Sequence, residues 1–65
     1  MTDQELDKLV EAQSMITVLW PRLRKLRSMD VVNLCKLRHR MEREDGFIPD
    51  ENVLEWLRKL TEVNR

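Results

Sequence analysis

The chain reads as an all-α fold, a small bundle of three to four helices completed by a second chain. Apolar residues recur at helical spacing and no segment alternates like a strand. Helix-start signals stand at Thr2 and Asp50, and one Gly and two Pro in 65 residues are too few for a disordered chain. The second chain enters through size. A domain this short buries only about 60% of the surface its unfolded form exposes, so it needs a supplement. Cys35 is the one cysteine and His39 the one histidine. An internal disulfide is therefore excluded, and soft ligands are too few for a zinc site within one chain.

The first helix is expected over about residues 3–20. Thr2 and Glu5 have capping-box spacing, and Asp3, Glu5 and Asp7 put negative charge at the positive end of the helix dipole. Its main apolar stripe reads Leu6, Leu9, Val10, Gln13, Ile16, Thr17 and Trp20. A second apolar set, Ala12, Met15, Val18 and Leu19, lies off that stripe. The C-terminal half is thus apolar around most of its girth, and Met15, Val18, Leu19 and Trp20 are the expected apolar interface with another chain.

Pro21 removes a backbone donor and restricts Trp20. It either starts a separate short helix over 21–27 or kinks a continuous one, since Ile16, Leu19, Leu23 and Leu26 keep helical spacing across it. A third helix is expected over 30–45, capped by Ser28 or Asp30 and ended by Gly46 at a left-handed C′ position. Its inward stripe is Val31, Leu34, Cys35, Leu37 and Met41. Arg38 falls inside that stripe, so its stem should pack on the core while its guanidinium reaches Glu42 or another carboxylate. Phe47 and Ile48 pin the connection. Pro49 and Asp50 open the last helix, over 50–63, with the stripe Val53, Trp56, Leu57, Leu60 and Val63. Glu55 with Lys59 and Arg58 with Glu62 are its expected exposed pairs.

Net charge is zero, but it is distributed in three blocks: −3 over Met1–Glu11, +6 over Ala12–Arg43 and −3 over Glu44–Arg65. Such separation suits an anionic partner for the middle of the chain, or attraction between its own parts. The candidate partner-binding face is basic: Arg22, Arg24, Lys25, Arg27, Lys36, Arg40 and Arg43. Its bland alternative is a solvated surface neutralised by the acidic ends of the same fold.

No catalytic set stands out. Cys35 and His39 lie one turn apart, but no third orienting group or Gly-rich loop accompanies them, and most carboxylates fall at helix starts or in i,i+4 pairs. The chain is expected to be no enzyme and to use no cofactor or metal. The acidic N-terminus lacks the apolar run of a secretory leader, and the apolar stretch Met15–Trp20 is far short of the roughly 20 residues that span a bilayer. The expectation is a cytoplasmic, non-membrane regulator, a homodimer that binds and modulates or inhibits a larger protein. The alternative is a nucleic-acid-binding regulator using the same basic segment. A pI near 6.6 and the core-like placement of Trp20, Phe47 and Trp56 count against it.

Overall fold

The computed structural model describes residues 2–64. Three α-helices and one 3-10 segment follow in order: α1 Asp3–Leu19, the 3-10 segment Trp20–Lys25, α2 Ser28–Arg43 and α3 Glu51–Val63. No strand occurs among the described residues.

A complete capping box starts α1. The Glu5 backbone N–H donates to the Thr2 hydroxyl at 3.2 Å, and the Thr2 N–H donates to the Glu5 carboxylate at 3.4 Å. Hydrogen bonds from the Thr2 side chain and backbone hold the Glu5 carboxyl below its ordinary pKa. At the far end Trp20 keeps right-handed helical dihedrals, but Pro21 supplies no N–H, and the chain tightens into 3-10 geometry. The short helix is therefore separate and of the 3-10 type. Leu26 ends it in an extended conformation, its N–H donating to the Leu23 carbonyl at 3.2 Å.

Neither Ser28 nor Asp30 caps α2. Arg27 holds the cap position without a side-chain bond, Ser28 is already helical, and Asp30 sits in the first turn, where its charge faces the dipole. Nor does Gly46 occupy C′. Glu44 leaves helical geometry, and the turn Glu44–Phe47 closes by the Phe47 N–H donating to the Glu44 carbonyl at 3.3 Å. Gly46, at φ +81°, is the third residue of that turn, where a type II turn requires positive φ. Asp50 caps α3 by accepting the Val53 N–H at 2.9 Å, and Pro49 before it is buried.

The core consists of Ala12, Ile16 and Leu19 from α1, Leu34 and Leu37 from α2, and Leu54 and Leu57 from α3. Each set is spaced three or four residues apart, the repeat of a single helix face. The backbones of α1 and α3 approach closely, whereas α2 stands farther from both. Nothing in the arrangement indicates that a second chain completes the bundle.

Several sequence-based phases shift accordingly. On α1 the face that turns inward is Ala12, Ile16 and Leu19, while Leu6, Val10, Gln13 and Thr17 are exposed. On α2 Cys35 is exposed, not part of the inward stripe. On α3 Leu54 joins Leu57 in the core, and Val53, Trp56 and Leu60 are only half-buried. A helix with apolar residues on several sides has no unique phase in sequence, and the neighbouring helices choose it.

Arg58 joins the paired helices. Its guanidinium donates to the Glu11 carboxylate of α1 through Nε at 2.7 Å and Nη2 at 3.2 Å, and to Glu51 through Nη1 at 3.0 Å. The expected local partner Glu62 is displaced by these two acids, because the close α1–α3 approach brings Glu11 within bidentate range. Glu55 and Lys59 do face each other, at 4.0 Å. The Arg58 hydrogen bonds hold the Glu11 carboxyl below its ordinary pKa, and Glu11 and Glu51 in turn raise that of Arg58.

Two predictions follow from this packing. Leu57→Ala should cost about 2–5 kcal/mol, comparable with the whole stability of a domain this small, so circular dichroism should show it largely unfolded at room temperature. Because the Glu11 pKa is depressed in the folded state, its contribution is full at neutral pH and is lost as pH falls through that folded value. Glu11→Gln should therefore melt below wild type at pH 7, and the two melting curves should converge once pH has fallen through the folded-state Glu11 value.

Candidate protein-interaction surface

Because α2 stands off from the α1–α3 pair, a groove runs along each of its flanks. The α2–α3 groove comprises two cavities, of about 350 and 470 Å³, that share Trp56. Its floor is apolar: Leu26, Leu37, Phe47, Val53, Trp56, Leu60 and Val63. The apolar stripe of α3 read from sequence is thus real, but most of it faces this groove. Val63 is 82% exposed. The opposite flank, between α1 and α2, is lined by Gln13, Ile16, Thr17, Trp20, Arg38 and Met41.

Basic side chains rim the α2–α3 groove. Lys25, Arg27 and Lys59 line one half, Lys36 and Arg40 the other, with Asp30 and Asp50 the acidic exceptions. Among the described residues no carboxylate pairs with Lys25, Arg27 or Lys36. An apolar floor inside a cationic rim favours an occupant that is itself amphipathic and anionic.

The seven basic residues singled out in the sequence do not share one face. Arg22 is half-buried and donates to the Asn64 backbone carbonyl, placing its charge at the C-terminal end of α3, where the helix dipole is negative. Arg40 donates to Glu44 at 2.6 Å and lies over the Phe47 ring at 4.3 Å, tying the turn to α2. Lys25 and Arg27 at one end of the groove and Lys36 farther along it come together as a rim. Arg24 and Arg43 are exposed and line neither half.

The apolar interface expected on α1 divides in a similar way. Leu19 is fully buried in the chain's own core, Met15 and Trp20 are half-buried against it, and Val18 is exposed. Three residues of that set are thus already engaged internally. Arg38, expected inside the inward stripe, lies at its edge with nearly half its side chain exposed. Its guanidinium sits 4.3 Å over the Trp20 ring, with Glu42 at 3.4 Å. The reach to Glu42 is as expected; the stacking on Trp20 had no local signal, because the two residues meet only when α2 folds beside α1.

Leu60 and Val63 belong to the predicted stripe, but nothing in the sequence marks them as groove residues rather than core. Asn33 and Asn52, on the groove walls, had no signal at all. Among the described residues no three His, Cys, Asp or Glu side chains gather to hold a metal ion, and no helix is long and apolar enough to cross a membrane. In comparisons with known proteins, the chain matches no family model, no curated protein and no solved structure.

The Arg38–Trp20 stack tests how α2 is held to α1. Arg38→Ala should lower stability by about 0.5–1 kcal/mol, the range of an exposed cation–π contact, read from urea midpoints followed by tryptophan fluorescence. Arg38→Lys should recover only part of that loss, since a guanidinium stacks flat on the ring and an ammonium does not.

Proposed function

We propose that this chain is a small non-enzymatic regulatory protein that binds a larger protein through the α2–α3 groove and modulates or inhibits it by occupying a surface. The observation behind this reading is the unfinished apolar face of α3. Leu54 and Leu57 suffice for the internal core, yet Val53, Trp56, Leu60 and Val63 continue the apolar surface into an open groove. Leaving a Trp and three aliphatic side chains partly in water forgoes burial worth about 25 cal/mol per Å², which a partner recovers on binding. The exposed thiol of Cys35 suits a reducing, cytoplasmic setting. The homodimer expected from chain length belongs to the same proposal, a second copy being one protein able to enter the groove.

The test is affinity capture from lysate of the source cell, with and without nuclease, using wild type and Val63→Glu, which changes an exposed side chain and should leave the melting temperature unaltered. A protein retained by wild type and lost from the variant is the expected result. Capture that disappears on nuclease treatment, with log affinity falling linearly in log salt, would instead assign the basic rim to nucleic acid.

A further inference from the structure

The groove on α3 has a chemical counterpart in the same chain. The N-terminal half of α1 turns Leu6 and Val10 outward, 51% and 53% exposed, one helical turn apart. Asp3 and Asp7 line one side of that pair, exposed and without an ion-pair partner among the described residues. The result is a short amphipathic surface, an apolar ridge with one acidic edge, opposite in charge to the basic rim of the apolar groove. It lies on the element that carries the −3 block, while Lys25, Arg27 and Lys36 of the groove belong to the +6 block.

The fold keeps the two apart within one molecule. The face formed by Ala12, Ile16 and Leu19 holds α1 in the core, and the groove opens on the opposite flank of α2 from the one α1 lines. The ridge of α1 therefore meets a groove only on another molecule. We infer that a second copy of this chain is the occupant: the outward face of α1, Leu6 and Val10 with Asp3 and Asp7 along one edge, seats on Trp56 and Val63 beside the lysines and arginine of the partner's groove. This rests on the groove being a protein-binding surface, as proposed above, and names its partner. Two copies exchange ridge and groove reciprocally, so the pair closes as a two-fold dimer. With only two apolar residues on the ridge, the association is weak and strongly electrostatic.

Sedimentation velocity on the intact chain from about 1 μM to about 500 μM should show monomer passing to dimer, with affinity falling several-fold between about 50 mM and about 500 mM NaCl. Asp3→Lys with Asp7→Lys, and separately Lys25→Glu with Lys36→Glu, should each leave a monomer, since ridge and groove then carry like charge. Lys25 and Lys36 stand toward opposite ends of the groove, so this pair is felt whichever way α1 lies. An equimolar mixture of the two double variants should recover the dimer, because each ridge then faces a groove of opposite sign. Circular dichroism melts at low concentration establish that both variants fold; should either fail, Leu6→Ser with Val10→Ser takes its place and should abolish the dimer.

A wild type monomeric at every concentration overturns the inference. So does a dimer indifferent to these substitutions, or a mixture that stays monomeric while wild type dimerises. None of these outcomes touches the groove as a binding surface for a foreign protein, which fails separately, when Val63→Glu captures everything that wild type does.

Discussion

The close approach of α1 and α3 decides how the rest of the chain is arranged. Ala12 is fully buried on the inward face of α1, and its small side chain occupies little of the space between the helices. Glu11 beside it then comes within reach of Arg58, which binds it with two hydrogen bonds. With the first and last helices joined, α2 has only one place left. It lies beside them, connected by the 3-10 segment after Pro21 and by the turn at Gly46, and its Leu34 and Leu37 complete the core at a greater distance. Both grooves are consequences of that distance.

The helices themselves were plain in the sequence because their signals are local. Capping chemistry at Thr2 and Asp50 depends on residues within one turn, whereas Pro21 left a break and a kink both open, and only the fold chose the break. Phase was harder. In α1 the apolar residues cover most of the girth, so Leu6 and Val10 read as core as readily as Ala12 and Leu19, and only α3 selects between them. The same reason hid the groove. Val53, Trp56, Leu60 and Val63 have the spacing of a core stripe, and no local pattern tells which apolar residues will lack a neighbour. The partners of Arg58 and of Arg38 lie far along the chain, beyond any i,i+4 rule.

The three-block charge pattern takes on a different meaning once the fold is known. Part of it is spent internally: Glu11 and Glu51 on Arg58, the end of α3 on Arg22, Glu44 on Arg40. The rest includes Asp3 and Asp7 on the outer face of α1 and Lys25, Arg27 and Lys36 around the groove of α3. A molecule neutral in total is thus strongly polar in outline, and at such a surface electrostatics act on orientation and speed of encounter more than on final affinity.

The Glu11–Arg58 clamp spans 47 positions of a 65-residue chain. Its formation therefore closes a loop around nearly everything else, including all of α2. Helices of 13 to 17 residues are marginal alone in water, so none of the three has much persistence before that loop closes. Closure costs chain entropy that only the assembled core repays. The domain should consequently lack foldable halves: neither an N-terminal nor a C-terminal fragment contains both members of the helix pair. For a ribosome making this chain, native structure has to wait until α3 has left the exit tunnel, because Arg58 and the α3 half of the core arrive only with it.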